Sequence, residues 1–143
     1  VRARAWGRGA GRRLWRRVGR RGVSLLFVGA LGLLISASLA FAPPYVQAQP
    51  GYQVLVDILP VQVWVTAWTA AGVLSLVQAF AKSDRLAYAL TSGLMIAYGI
   101  AHVVGVFTGA NPRGWVAASI WAAFGGWIAL IATWPEAGDG DHS

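Results

Sequence analysis

The chain has no cysteine, which excludes disulfides, thiolate metal sites and cysteine nucleophiles. Acid is nearly as scarce. The five carboxylates are Asp57, Asp84, Glu136, Asp139 and Asp141, one in each of two connecting segments and three near the C-terminal end. No two of them share a depth in the chain's apolar framework at which they could exchange a proton or clamp a metal. Neither a phosphate-binding loop nor a nucleophile-base pair is present. The chain therefore reads as non-enzymatic, with no catalytic residue, no metal site and no cofactor. Asp139-Gly140-Asp141-His142 offers weak metal ligands, but a solvated end is the simpler reading.

Charge of either sign is also sparse, at 12% of residues against 57% hydrophobic, where soluble domains carry about a quarter charged. The apolar residues arrive in four blocks, 23–42, 61–81, 87–108 and 114–134, and none contains Lys, Arg, Asp or Glu. Each is about 20 residues, the length that crosses roughly 30 Å of hydrocarbon at about 1.5 Å per residue. A soluble helical bundle would show a polar stripe on each segment. The expected fold is all-α: four transmembrane helices in an up-down bundle. The expected organisation is a basic tail (1–22), a membrane domain (23–134) and an acidic, disordered tail (135–143).

What the chain does have is arginine at one end. Nine of its twelve basic residues are arginines between Arg2 and Arg21, and from there to Lys82 the only charge is Asp57. The positive-inside bias puts this tail and the Lys82-Arg85 connection on one side, opposite Arg113. The sequence thus predicts a multi-pass protein of a bacterial inner membrane with both termini cytoplasmic. The net charge of +7 calls for a polyanionic partner. Anionic headgroups beside the first span supply about 1 kcal/mol per basic residue. Nucleic acid is the weaker alternative, because the tail is tethered to a span. Arg12, Arg13, Trp15, Arg16, Arg17, Arg20 and Arg21 are the expected membrane-surface residues. Leu14, Trp15 and Val18 share one helical arc opposite the arginines, the pattern of an interfacial helix, while Gly7, Gly9, Gly11 and Gly19 equally suit a disordered tail.

The first span could be a signal peptide cut at Ala40-Phe41-Ala42, but its apolar run exceeds the usual 7 to 15 residues or so, and Pro43 follows the site. It reads as an uncleaved anchor. Pro43-Pro44 ends that helix, and a loop follows to Pro60, with Tyr45 and Tyr52 at interface depth and 54–59 lying on the outer surface.

Small residues recur every fourth position: Gly32, Ser36 and Ala40 in the first span, Ala67, Ala71, Ser75 and Ala79 in the second, Gly93, Ala97, Ala101, Gly105 and Gly109 in the third, and Gly114, Ala118, Ala122 and Gly126 in the fourth. Such ladders let helices approach closely, within one chain or between copies. His102 is the one titratable histidine inside a span, a candidate for ion or proton passage, with Thr66 and Thr69 as expected hydrogen-bond partners and a structural role favoured. Trp115 and Trp134 are expected interface anchors. Trp64, Trp68, Trp121 and Trp127 fall inside the runs and call for packing partners, or form an aromatic cage for a cation with Asp57.

Several short motifs taken together carry a resemblance: Arg21-Gly22-Val23-Ser24-Leu25-Leu26-Phe27, the Pro43-Pro44 break, Leu59-Pro60 followed by Trp64 and Trp68, Asp84-Arg85 with Tyr88, Pro112-Arg113-Gly114-Trp115, and Trp134-Pro135-Glu136. From Arg20 to Glu136 the chain resembles small four-span membrane proteins of actinobacterial phages and prophages. The resemblance implies a holin-like role, self-associating and membrane-permeabilising in aid of lysis, with a homo-oligomer or a lysis partner. The alternative expectation is an accessory or anchor subunit of a membrane or phage complex, and an ion channel using His102 stands third.

Overall fold

In the computed structural model the backbone is described for residues 3–81 and 83–133, and side chains are described from Arg21 onward within those bounds. Those residues are helical wherever they are regular, in the order α1 (Ala3–Ala40), α2 (Pro44–Gln47), α3 (Pro50–Ile58), α4 (Val61–Gln78), α5 (Arg85–Phe107) and α6 (Gly114–Ala132). Four segments are long and apolar enough to cross a membrane: Arg21–Ala40, Val61–Gln78, Arg85–Phe107 and Gly114–Ala132. The chain is an all-α, multi-pass membrane protein.

Proline sets several of the ends. Pro43 has an extended backbone and Pro44 opens α2; Pro50 opens α3, and Pro60 caps α4. In each place a missing N–H is harmless because the first turn has no intrahelical acceptor for it. At the end of α5, Gly109 takes the left-handed conformation (φ 73°). That reversal lets the Asn111 N–H reach the Gly105 carbonyl at 2.8 Å and feeds the chain into α6.

The basic segment and the first span share one helix, α1, which runs unbroken through 38 residues. One feature differs from expectation. The segment expected to lie along the outer surface is instead α3, whose Val54 and Leu55 are buried where it packs on α5. Its indole neighbour on α4, Trp64, donates to the Leu55 carbonyl at 2.9 Å.

The most extensive packing is α1 along α4 and α5 along α6, with α4 against α5 joining the pairs. Glycine makes the first contact close: a Cβ added at Gly72 would stand 3.0 Å from the Gly29 carbonyl, and one at Gly32 would stand 3.2 Å from the Gly72 Cα. Hydroxyls tie the same helices. Ser36 donates to the Val65 carbonyl (3.0 Å), leaving Thr69 to donate to Ser36 (2.7 Å). Ser75 and Thr91, both buried, bond at 3.1 Å between α4 and α5. Bonds of this kind contribute about 0.6 kcal/mol each in membranes.

The small-residue ladders are only partly at these contacts. Ala71, Ser75, Ala101, Gly105, Gly114 and Ala118 are buried and Ala67 is half-buried, whereas Gly93, Ala97, Ala122 and Gly126 are exposed. Cβ atoms at Gly93 or Gly126 would meet nothing within 4 Å. The reason is helical geometry: a step of four residues turns about 400°, so an every-fourth ladder drifts about 40° per step and leaves the seam within three steps. On α6 the buried positions are Gly114, Ala118, Gly125, Ile128 and Ile131. That mixed spacing follows the neighbour, and the glycine that fills it is Gly125, facing Ile96.

Candidate functional site

Two polar and aromatic clusters stand out, one at each end of the bundle. The first forms where α1, α5 and α6 meet beside the entry of the N-terminal arm. Asp84 occupies the position before α5, where a carboxylate ordinarily accepts from the first-turn N–H groups. It makes no such bond. Instead the Gln78 side-chain oxygen accepts from the Ala87 N–H at 2.9 Å, which frees Asp84 to receive Arg21 Nη2 at 2.7 Å. The same nitrogen lies 3.4 Å from the Ala132 carbonyl at the end of α6. The Tyr88 hydroxyl donates to the Arg21 carbonyl (2.8 Å), so Ser24 donates to Tyr88 (3.2 Å). The guanidinium also sits over the Tyr88 ring, 5.4 Å from its centre. The two charged side chains are 17% and 9% exposed. Arg21 thus faces the bundle and pairs internally; it is not a headgroup-facing member of the expected membrane-surface set. The side chains of Arg12, Arg13, Trp15, Arg16, Arg17 and Arg20 lie outside the described residues.

The second cluster lies at the opposite end and is centred on Tyr98. Trp64, Trp68, Trp121 and His102 surround its ring with centroids 5.0 to 5.6 Å away. Three of these contacts come from residues spaced by one turn, Trp64 with Trp68 on α4 and Tyr98 with His102 on α5. Edge-to-face arrangements such as Tyr98 on Trp64, at 87°, are the favoured geometry for aromatic pairs. The rings fill the space among themselves. The cation cage expected of Trp64, Trp68, Trp121 and Trp127 is therefore not formed: Tyr98 occupies its centre, Trp127 points outward at 54% exposed, and Asp57 is exposed on α3.

His102 is buried at the edge of this cluster, with α3 laid over it; a Cβ at Gly51 would stand 3.6 Å from its Cε1. The partners expected for it are engaged elsewhere. Thr66 donates to the Gln62 carbonyl at 2.7 Å, and Thr69 belongs to Ser36. Both hydroxyls are satisfied on their own side of α4, so neither turns to α5. Among the described residues, His102 Nδ1 and the indole nitrogen of the fully buried Trp68 have no hydrogen-bond partner. No group of three or more His, Cys, Asp or Glu side chains able to hold a metal occurs among them. The neighbours of His102 include the Tyr98 ring, 5.5 Å between centroids, and the α3 backbone at Gly51.

Trp115 is exposed at the start of α6; Trp134 lies outside the described residues, as does the acidic tail. Reading the sequence missed Asp84 and Tyr88 as partners of Arg21, and Tyr98 as the aromatic hub. The available signals were an acid immediately before a span on the arginine side, and the paired one-turn spacings of the aromatics.

No protein-family model matches the chain, and no curated protein or solved structure matches it.

Proposed function

We propose that the chain is a non-enzymatic accessory or anchor subunit of a bacterial inner-membrane assembly, of host or phage origin, with both termini cytoplasmic. The observation that supports this best is where the polar groups of the spans go. Ser36 with Thr69, Ser75 with Thr91, and Ser24 with Tyr88 pair inside one chain. The hydroxyls that face outward are turned back to their own helices: Ser38 to Ile35, Thr66 to Gln62 and Ser119 to Trp115. Most large side chains left exposed on the spans are apolar, among them Phe27, Leu34, Val77, Ile100 and Phe124; Gln62 and Arg85, at the span ends, are exposed polar exceptions. A water-filled lesion needs polar groups turned to a lumen. This surface suits lipid, or an apolar partner helix. The arginine-rich arm then serves as the cytoplasmic contact, and the positive-inside bias supports that placement.

A second reading, the holin-like self-associating protein, is favoured by the outward small residues Gly93, Ala97, Ala122 and Gly126, which permit close approach of another copy. Induced expression in bacteria with a potential-sensitive dye separates the two. The anchor reading expects continued growth with the membrane potential intact. An abrupt collapse of potential overturns it in favour of permeabilisation.

A further inference from the structure

His102 lies where two helices begin. A Cβ at Gly51, in the first turn of α3, would stand 3.6 Å from its Cε1 and 3.5 Å from Asn111 Nδ2. One at Gly114, the first residue of α6, would stand 2.6 Å from the His102 carbonyl and 3.2 Å from the same Asn111 nitrogen. First turns carry unsatisfied N–H groups and partial positive charge. The imidazole is 7% exposed, and its Nδ1 has no hydrogen-bond partner among the described residues. These surroundings offer a cation nothing. The titratable and charged groups on the elements around the ring are Tyr52 and Asp57 from α3, Tyr98 from α5 and Arg113 ahead of α6, while α4 and α6 contribute no acid or base. Asp57, the one carboxylate among them, is exposed and lies about 9 Å along α3 from Gly51. Arg113 is exposed at the cap of α6.

We propose that α3 is a proton-sensitive cover for His102, docked on α5 while the imidazole is neutral and released when it is protonated. A buried cation without a carboxylate partner is costly, and this one would also face the positive ends of two helices. Water reaches the ring when α3 lifts, because α3 is the element laid over it. The cover is a separate unit of nine residues, opened by Pro50 and closed at the Leu59-Pro60 break. Its hold on the bundle is the burial of Val54 and Leu55 and the bond from Trp64 to the Leu55 carbonyl. Released, its apolar side rests in the lipid interface. His102 and the neighbouring Tyr98 are then uncovered at the end of the bundle opposite the arginine arm. The cover works in the same way whether the chain anchors an assembly or permeabilises the membrane.

The absence of native cysteine makes the test direct. Full-length protein carrying Gln49→Cys and Ala123→Cys, both at exposed positions, is spin-labelled in phosphatidylcholine nanodiscs and measured by pulsed dipolar spectroscopy. Samples at about pH 7.5 and about pH 5 bracket the titration of an ordinary imidazole. The expected result is one distance population at the higher pH and a second, longer one at the lower. His102→Gln, which takes no proton, should keep the single population at both, and Asp57→Asn should leave the response intact. His102→Phe is a second neutral variant, and whichever of the two docks α3 at the higher pH decides the matter. A distribution in the parent protein that pH leaves unchanged overturns the proposal. So does a response that survives in the neutral variant, or one that Asp57→Asn abolishes.

Discussion

Asp84→Asn removes one negative charge from a side chain whose partner has few alternatives. The substitution keeps the shape and leaves Arg21, 17% exposed, facing an amide where a carboxylate stood at 2.7 Å. Removing one partner of a fully buried pair costs about 3 to 5 kcal/mol. The expected cost here is lower, about 1 to 3 kcal/mol, because both groups keep some exposure and a long arginine at the edge of a span can extend toward the headgroups. Two contacts would persist and limit the loss: the guanidinium over the Tyr88 ring at 5.4 Å and the approach to the Ala132 carbonyl. A double-mutant cycle with Arg21→Gln isolates the pair. Asparagine at 84 could also cap the first turn of α5, but that effect is present in both backgrounds and cancels. Unfolding in mixed micelles, followed by the fluorescence of the eight tryptophans, should show a coupling of about 1 kcal/mol or more. Strict additivity of the two substitutions would refute the claim that this pair holds α1 to the α5 entrance.

Other substitutions discriminate the packing assignments. Gly72→Ala should destabilise by about 1 to 3 kcal/mol, since its Cβ would press on the Gly29 carbonyl at 3.0 Å, whereas Gly126→Ala, with open space around it, should stabilise by up to about 1 kcal/mol through helix propensity; the same micelle titration reads both, and equal effects would undo the α1–α4 seam. Trp64→Phe deletes the donor to the Leu55 carbonyl at a cost of about 1 kcal/mol. It should speed amide exchange across Pro50–Ile58 while leaving α5 protected, and unchanged exchange there would show that α3 is held by its apolar face alone. An enzyme active only outside the membrane should stay silent when fused after Ser143, and activity at that point would reverse the orientation argued from the arginines.

The four spans were legible because hydrocarbon thickness acts on each helix separately: an uncharged run of about 20 residues carries its own evidence. The ends were legible for the same reason, since Pro43, Pro44, Pro60 and Gly109 act on their own turns. Contacts between helices were not. Of the every-fourth ladders, Ala71, Ser75 and Gly105 are buried while Ala122 and Gly126 are exposed, because spacing alone does not fix the azimuth at which a neighbour lies. Gly125, one position away, takes the contact with Ile96. The consequence reaches the notion of which face is free. Replacing Ala122 by Leu should be tolerated, while Gly105→Leu should not, because a Cβ there already meets Val54 at 2.8 Å.

The fate of Arg21 was the hardest feature to read from sequence, because its partner lies 63 positions away and is chosen by competition. Asp84 is available only because Gln78 satisfies the Ala87 N–H in its place. That exchange links two features which the sequence presents separately, a basic arm and a short connection between spans. Arg21 belongs to both: its backbone continues the arm's helix, and its side chain is clamped to the entrance of α5 and the exit of α6. The helix that carries the arm is therefore tied to the bundle at the arm's root by an ion pair. Weakening that pair should free the arm's orientation without removing a single one of the arginines that give it charge.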